Sequence, residues 1–371
     1  MNANPAGIYK FRKPGGAVAR IWPVLFFVLL GACYHKKQPA SEGIMTRGIV
    51  LDVNDLSTVD WPKRAKEAGI NTIATHVTPS QVKSFIQSEK GRTFLSECEK
   101  YGIWVEHELH AMADLLPREL FSEDSTMFRM NEKGVRVGDF NLCVHSGKAL
   151  DIVCRNVVDY AKVLRSTSGR YFYWIDDGQP MCKCPDCGKF SDSEQALILE
   201  NRMVEALRKE VDPKATLAHL AYINTLDPPR KIKPAAGVFL EFAPIHRTWE
   251  KSISDTAARQ PAQISHGDYL RLLDANLEVF PAETAQVLEY WLDVSLFSHW
   301  KKPAVQLPWN RDVFLQDLDA YGKRGIRNFS SFAVYMDSAY VRKYPDVSFL
   351  KAYGDGFAAF EHRPNPTSSR P

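Results

Sequence analysis

The fold is decided by one stretch of the chain, Arg170-Tyr171-Phe172-Tyr173-Trp174-Ile175-Asp176-Asp177-Gly178. Its aromatic and β-branched residues favour a strand, and the Asp-Asp-Gly that ends it is a common turn signal. A strongly helical segment follows from Ser193 to Lys209, with Ser191 or Asp192 as its N-cap. A strand that leads through a loop into a long helix is the repeating unit of an α/β fold.

The same alternation extends in both directions from this stretch. Helical patterns at Trp61 to Ala68 and at Leu150 to Leu164 lie between short apolar runs. Besides 171–175, the predicted strands are 49–53, 72–77, 104–110, 217–223, 238–242, 286–292 and 328–334. Eight strands with mostly helical crossovers over about 315 residues predict a single (β/α)8 barrel of the TIM type. A doubly wound sheet is the main alternative, but no glycine-rich phosphate fingerprint follows an early strand.

Composition narrows the class of partner. The 47 basic and 44 acidic residues are interspersed beyond the N-terminus, so no basic stripe of the kind that binds nucleic acid is present. We therefore expect no nucleic-acid partner. Eight tryptophans and fourteen tyrosines provide flat apolar surfaces that suit the faces of sugars, although such residues more often belong to the core.

The N-terminus has the pattern of an export signal. A positively charged segment precedes a short apolar run from Ile21 to Leu30, which is too short to span a bilayer comfortably. Leu30-Gly31-Ala32-Cys33 resembles the bacterial lipobox, so we predict a signal peptide over 1–32 and a lipid on Cys33. An ordinary secretory signal with an incidental cysteine is the alternative. The lipid would anchor the protein in the cell envelope of a bacterium, at the outer membrane or the cell surface.

These signals divide the chain into four parts. After the signal peptide, residues 33–45 form a lipidated tether, 46–360 the barrel domain and 361–371 a flexible tail.

Active sites of (β/α)8 barrels lie at the carboxyl ends of the strands, so the candidate residues are those that end each predicted strand. Several acids with aromatic neighbours and few basic partners favour sugar chemistry over phosphate chemistry. Some of these acids would only bind loops.

Side-chain alternation predicts which acids face the barrel mouth. In the predicted strand 286–292, Glu289, Trp291 and Asp293 share one face while the leucines between them share the other. We therefore expect Glu289 to point into the mouth. In the third strand, Glu108 and His110 share a side and His107 faces away, so these residues do not form the helical zinc-protease motif.

The adjacent carboxylates Asp176 and Asp177 are the strongest candidates for chemistry. Two like charges held close together raise at least one pKa, and a carboxyl group that keeps its proton can act as a general acid. The alternative is that Asp-Asp-Gly is only a turn at the end of a strand.

The remaining cysteines predict a crosslink beside these acids. Cys184-Pro185-Asp186-Cys187 has the form of a zinc knuckle, with Cys182 and Cys143 as further candidate ligands. Because the protein is expected to be exported, a disulfide is equally compatible with the pattern, for example between Cys143 and Cys182 or Cys184. Either crosslink would hold the loop that follows Asp177. We expect no cofactor for catalysis, and a structural zinc is one of the two alternatives.

A resemblance to a known family rests on motifs that occur in order along the chain. They are Glu108-Leu109-His110, Leu142-Cys143, Asp176-Asp177-Gly178 with its cysteines, Leu220-Ala221-Tyr222, Pro228-Pro229, Phe242-Ala243-Pro244 with Arg247, and Leu288-Glu289-Tyr290. This pattern resembles a bacterial barrel domain of unknown function, over most of residues 46 to 355. That domain is similar to the catalytic domain of glycoside hydrolase family 163, endo-β-N-acetylglucosaminidases that act on complex N-glycans.

Together with the predicted lipid anchor, the resemblance implies an exported glycoside hydrolase of a retaining type that acts on host or microbial glycans. In one scheme, similar to family 84, Asp176 orients the substrate's 2-acetamido group and Asp177 protonates the leaving oxygen. In the other, Glu289 is the nucleophile and lies about 5–5.5 Å from the acid Asp177. Residues implied in binding substrate are Glu108, His110, Tyr222, Asn224, Glu241, Arg247, Trp291 and Tyr335. A tethered protein that binds glycans without cleaving them is the alternative function.

Overall fold

The structure is a computed structural model and describes residues 45–361. Eight parallel strands close into a barrel in sequence order, so the predicted (β/α)8 fold is confirmed. The signal peptide, Cys33 and nearly all of the C-terminal tail lie outside the described residues. The strands are β1 Thr46–Asp52, β2 Thr72–Val77, β3 Trp104–His110, β4 Arg170–Trp174, β5 Thr216–Ala221, β6 Val238–Phe242, β7 Gln286–Glu289 and β8 Asn328–Phe332.

Helices surround the barrel and begin where the sequence supplies caps. Ser191 accepts a hydrogen bond from the Glu194 amide while the Glu194 carboxylate accepts one from the Ser191 amide, which is a capping box. The α-helices of the described chain are α1 Val53–Thr58, α2 Trp61–Ala68, α3 Pro79–Gln87, α4 Glu89–Tyr101, α5 Met112–Leu115, α6 Gly147–Val163, α7 Asp192–Glu210, α8 His266–Leu277, α9 Val294–Phe297, α10 Arg311–Gly322, α11 Ser338–Lys343 and α12 Ser348–Glu361. Over residues 45–361, none of these helices has the length and hydrophobicity needed to cross a bilayer.

The core has two layers, one inside the barrel and one between the strands and the helices. Inside, apolar side chains such as Phe172, Phe239 and Leu288 alternate along the strands with outward-facing ones. The Arg170 guanidinium lies 4.4 Å from the centre of the Phe239 ring and belongs to this interior layer. A filled interior closes the barrel from below, so a ligand can enter only at the carboxyl ends of the strands.

Long connections at those carboxyl ends build the walls of the mouth. Residues 111–146 between β3 and α6 contain α5 and two short 3-10 turns, Arg118–Phe121 and Ser125–Met127. The connection from β5 to β6 has only a 3-10 turn, Ile223–Thr225, where the other crossovers have α-helices. The mouth is therefore shaped by irregular segments, which can bring side chains from distant parts of the sequence together.

Candidate active site

A cavity of about 440 Å³ opens at the carboxyl ends of the strands. Every strand of the barrel contributes to it through its last residue or the loop that follows. Its walls are formed by Asp52, His76, Val77, His110, Trp174, Asp177, Leu220, Tyr222, Ala243, Ile245, Leu288, Tyr290, Asp293, Ser295, Trp300, Phe332, Val334 and Tyr335. The cavity thus combines three carboxylates and two histidines with a largely aromatic wall.

Asp177 and His110 form a hydrogen-bonded pair in this cavity. His110 ends β3, and its Nδ1 lies 2.9 Å from the Asp177 Oδ1. Burial lowers the pKa of His110, but the hydrogen bond and the charge of Asp177 more than offset this, so the pKa is raised overall. The pair therefore holds a proton more firmly than a free imidazole does, beside a cavity that a ligand can enter.

His76, at the end of β2, stays neutral beside this pair. Its Nδ1 lies 2.8 Å from the carbonyl oxygen of Glu108, and since a carbonyl only accepts, Nδ1 carries the hydrogen. Burial and the neighbouring His110, whose ring centre is 5.0 Å away, lower the pKa of His76 to about 3. A neutral imidazole with its other nitrogen unprotonated is a hydrogen-bond acceptor.

Asp293 is the second acid of interest in the cavity. It follows β7 and caps α9, where its Oδ1 accepts hydrogen bonds from the Ser295 amide at 3.0 Å and the Ser295 hydroxyl at 2.6 Å. Burial raises the pKa of Asp293 to about 6, although these hydrogen bonds oppose the shift. Near neutral pH this carboxyl group can therefore exist in either protonation state. The alternation pattern placed Asp293 on the same face as Glu289, but β7 ends at Glu289, so the alternation does not extend to Asp293.

The two neighbouring acids Asp176 and Asp177 point in different directions. Asp176 does not line the cavity; its Oδ2 accepts from Arg118 Nη2 at 2.5 Å and from the Asn141 amide at 2.6 Å. The Asp176 amide in turn donates to Asn141 Oδ1 at 3.0 Å. The predicted catalytic role of Asp176 is therefore not supported, because its carboxylate holds the 111–146 connection in place instead.

Asn224 has a similar supporting position. Its Oδ1 accepts from the Gly178 amide at 3.0 Å, and its Nδ2 donates to Asp192 Oδ2 at 2.8 Å. Gly178 has φ +70°, a left-handed conformation that a residue with a Cβ adopts only with strain. Asn224 was predicted to bind substrate, but it lies outside the cavity wall and fixes the turn that presents Asp177.

The prediction that Glu289 points into the barrel mouth is wrong. Glu289 is buried among the helices, where Arg247 Nε lies 3.0 Å from its Oε1 and the Tyr321 hydroxyl donates to the same oxygen at 2.6 Å. Arg247 also pairs with Asp317 of α10, which accepts from Trp291 Nε1 at 2.9 Å. Glu289, Arg247 and Trp291 were all predicted site residues, and they instead form a buried network behind β7.

The reason is the orientation of β7. Leu288 packs inside the barrel and Tyr290 lines the cavity, so the leucine face is the inner one. Alternation correctly separates the two faces of the strand, yet it does not say which face the closed barrel turns inward. The charge of Glu289 is paired with Arg247 in a buried cluster behind the strand, so this face of β7 needs no access to solvent.

Glu108 and Glu241 lie below the cavity and do not line it. Glu241 accepts from Trp174 Nε1 at 2.7 Å and from Gln286 Nε2 at 3.0 Å, and Gln286 also donates to Glu108 at 3.3 Å. Burial raises the pKa of both acids, that of Glu241 to about 8. They face inward as predicted, but they do not line the cavity. Glu241 instead holds the Trp174 side chain, which does line it.

The aromatic residues of the wall divide into a deep group and an exposed one. Tyr290 and Phe332 stack with ring centres 5.4 Å apart, and Trp174 lies 5.7 Å from the His76 ring. Tyr222 and Tyr335, both predicted to bind substrate, line the cavity. The Trp300 side chain lies at the rim and is 60% exposed. Flat rings on several sides of a cavity can stack on the faces of a sugar.

A second hollow continues beyond the rim. It has a volume of about 650 Å³ and shares Ile245 and Trp300 with the first cavity. Trp249 and Phe297 lie along it, and their rings meet edge to face at 4.6 Å. The two hollows therefore lie next to each other, with Ile245 and Trp300 in the wall of both.

Four cysteines converge beside the loop that carries Asp177. Cys143 lies near the end of the 111–146 connection, while Cys182, Cys184 and Cys187 follow β4. Their four sulfur atoms all lie within 4.8 Å of one another, and all four side chains are buried. The convergence of Cys143 with the other three agrees with the predicted crosslink, while Cys98 and Cys154 lie apart from this cluster.

Residues 50–280 match the model of a family described as a domain of unknown function, DUF4838. The chain belongs to this family. No curated protein matches the sequence. The family description assigns no activity, so a function has to be argued from the site itself.

Three solved structures resemble the chain at low sequence identity. The protein ZgEngAGH5_4, solved with a cellotriose, is 12% identical, with a TM-score of 0.46 over 81% of this chain and 88% of its own. The chitinase RmChi1 from Rhizomucor miehei is 12% identical, with a TM-score of 0.46 over 84% of this chain and 100% of its own. The GH20 catalytic modules of a pneumococcal exo-beta-D-N-acetylglucosaminidase are 8% identical, with a TM-score of 0.43 over 86% of this chain and 84% of theirs.

Proposed function

We propose that this protein is a glycoside hydrolase of the β-N-acetylglucosaminidase type in which Asp177 protonates the leaving oxygen. The observation that carries the proposal is the Asp177–His110 pair in an aromatic-walled cavity at the barrel mouth. The raised pKa of His110 means that this histidine holds a proton beside Asp177 more firmly than a free imidazole does, and in the proposal Asp177 passes that proton to the glycosidic oxygen. Such a general acid contributes roughly 10²–10⁴-fold in rate.

Asp293 is the proposed second carboxyl group. Asp293 lines the same cavity as Asp177 and lies in the loop that follows β7. Glu289 and Asp176 do not line this cavity. Glycosidases need two carboxyl groups with different protonation behaviour on one substrate. Asp177 has a hydrogen-bonded, partly exposed position and Asp293 a desolvated one, so their surroundings differ as this chemistry requires.

Two roles are open to Asp293, and they lead to different reaction intermediates. Asp293 attacks the anomeric carbon and forms a covalent intermediate, or it orients a 2-acetamido group whose carbonyl oxygen attacks instead. Strong inhibition by a thiazoline analogue supports acetamido participation. A stable fluorosugar adduct on Asp293 supports the covalent route and removes the other.

The second hollow supports an oligosaccharide substrate. The cavity that holds Asp177 shares Ile245 and Trp300 with the second hollow, so in the proposal sugar units on one side of the cleaved bond contact this second hollow. This arrangement fits the endo-acting enzymes of glycoside hydrolase family 163, which the motifs resemble. We therefore propose complex N-glycans of host or microbial glycoproteins as the first substrate class to test.

The proposed location is the bacterial cell envelope, with a lipid on Cys33 as the anchor. Labelling of cells with a radioactive palmitate precursor should mark the wild-type protein. The variant Cys33→Ser should lose the label and be released from the membrane fraction. Labelling that persists in this variant would contradict the lipoprotein proposal.

Glycan release by the protein that begins at Ser41 tests the activity. The panel consists of complex N-glycoproteins, chitooligosaccharides and aryl glycosides, and the variant is Asp177→Asn. Asp186→Asn is the matched control, because Asp186 lies in the same loop but its side chain is 64% exposed and pairs with Lys189. We expect the first variant to lose about 10²-fold or more of the activity and the control to keep it.

Two other outcomes would contradict the proposal. Equal activity in wild type and Asp177→Asn would show that another group supplies the proton. If the folded wild-type protein binds a glycan of the panel but releases none, the protein is a tethered glycan-binding protein instead.

A further inference from the structure

The four clustered cysteines form one group in which every sulfur lies near the other three, and not two separate pairs. Cys143 Sγ lies 3.8 Å from Cys184 Sγ and 3.7 Å from Cys187 Sγ, and Cys182 completes the group within 4.8 Å of each of the others. A tetrahedral zinc ion with zinc–sulfur bonds of about 2.3 Å separates its ligand sulfurs by about 3.8 Å. A disulfide would bring only two sulfur atoms together and would not require the other two to converge on them.

We propose that Cys143, Cys182, Cys184 and Cys187 bind a structural zinc ion. All four side chains are buried, which is typical of a closed structural site with four protein ligands and no open position for a substrate. The sequence pattern left zinc and a disulfide equally open. The mutual distances among four sulfurs favour zinc, since the spacing agrees with that of a bound tetrahedron.

Hydrogen-bond donors surround the sulfur atoms as they do around metal-bound thiolates. The Met130 amide donates to Cys182 Sγ at 3.3 Å, and Arg136 Nη1 lies 3.7 Å from the same sulfur. His145 Nδ1 lies 3.2 Å from Cys187 Sγ. Four thiolates around a divalent ion carry a net charge of −2, which these donors and the Arg136 cation partly balance. Neutral disulfide sulfurs have no comparable need for cationic and amide donors.

The zinc site would position Asp177 from two sides of its loop. Cys182 follows Asp177 by five residues, and Cys143 follows Asn141 by two residues. Asn141 and Asp176 exchange hydrogen bonds, with the Asn141 amide 2.6 Å from Asp176 Oδ2 and the Asp176 amide 3.0 Å from Asn141 Oδ1. The metal therefore joins the 111–146 connection to the β4–α7 loop on either side of the acid. None of the four ligands lies in a barrel strand, so metal loss should loosen this corner and leave the barrel folded.

Metal content measured by mass spectrometry is the direct test. The protein that begins at Ser41, which contains the whole barrel, is dialysed against buffer without chelator. We expect one zinc per chain in wild type and a loss of at least tenfold in Cys143→Ser and in Cys184→Ser. Cys154→Ser is the matched control and should retain the zinc, since Cys154 lies on α6 outside the cluster.

A spectroscopic measurement on the wild-type chain avoids dependence on variants that fail to fold. Cobalt that replaces zinc in a tetrathiolate site gives intense absorption from thiolate-to-metal charge transfer and from tetrahedral d–d bands. Thiol titration after unfolding in the presence of a chelator should count every cysteine of the chain beginning at Ser41 as reduced. Removal of zinc from the folded wild type should raise protease cleavage within 111–146 and leave the far-UV circular dichroism of the barrel unchanged.

Three results would overturn the proposal. A thiol count lower by two or four, without bound zinc, would show disulfides. Zinc that Cys143→Ser and Cys184→Ser both retain would show a metal bound elsewhere. Reduced thiols in a folded chain that binds neither added zinc nor cobalt would show a cluster of free cysteines.

Discussion

Replacement of Asp293 by Asn tests the site through stability and activity together. The Asp293 side chain is 4% exposed, and burial raises its pKa from 3.8 to about 6. A difference of about two pKa units between the folded and unfolded states corresponds to about 3 kcal/mol. Because the folded protein holds this proton more tightly than the unfolded chain, the contribution of Asp293 to stability is present below about pH 4 and is lost as the pH rises through about 6.

The variant Asp293→Asn should therefore change stability in a pH-dependent way. Asn does not ionise, and its side-chain oxygen still accepts from the Ser295 amide and hydroxyl. At about pH 4 the variant and wild type should have similar free energies of unfolding. At about pH 7.5 the variant should be more stable, by up to about 3 kcal/mol, because it avoids a buried unpaired charge. The same variant should lose about 10²-fold or more of the glycan-releasing activity.

Urea unfolding at several pH values, followed by tryptophan fluorescence, measures the free energy. Asp151→Asn is the control, because the Asp151 side chain is 67% exposed and its pairing with Arg202 at 3.9 Å should contribute little. A variant that is no more stable relative to wild type at pH 7.5 than at pH 4 would refute the argument from burial. Full activity in Asp293→Asn would refute its place in the chemistry.

Three other substitutions separate structural from catalytic roles. Glu289→Gln should lower the free energy of unfolding by about 2–3 kcal/mol, because Arg247 loses a charged partner. The folded variant should keep the kcat/KM of wild type. An inactive but folded variant would restore Glu289 as a candidate nucleophile. Arg118→Ala should remove the ion pair that helps to hold Asp176 to the 111–146 connection and lower kcat by about 10²-fold through misplacement of the loop, measured beside protease sensitivity. Unchanged kcat with a cleavable loop would show that the loop does not position the acid. His110→Gln should abolish the fall of kcat/KM at alkaline pH, because the raised pKa of His110 sets the pH at which the His110–Asp177 pair loses its proton. An unchanged pH profile of kcat/KM would assign that fall to another group.

Most of the strands and the barrel could be predicted from local patterns. The second, third and sixth strands have the predicted bounds, and the others differ by one to three residues at an end. In β3, alternation also places His110 in the cavity and His107 on the outer side, in contact with Thr75. These features depend on the twofold period of a strand and on caps and turns, which are encoded by neighbouring residues.

The direction of individual acids could not be predicted in the same way. Asp176 and Asp177 are neighbours beyond the end of β4, where the regular alternation stops. Their orientation is decided by the hydrogen bond that the Asn141 amide donates to Asp176 and by the one that Asn224 accepts from the Gly178 amide. Glu289 faces outward because barrel closure turns Leu288 inward. Each outcome depends on a partner far away in the sequence.

The sequence by itself determined the barrel, the ends of most strands and the cysteine segment beside Asp177. Only the tertiary structure decided that Asp177 pairs with His110, that Asp293 enters the cavity and that Cys143 meets the cysteines of the following loop. The physical reason is that secondary structure follows from interactions over a few residues. Side-chain direction, burial and pKa follow instead from the packing of segments that meet only when the barrel closes.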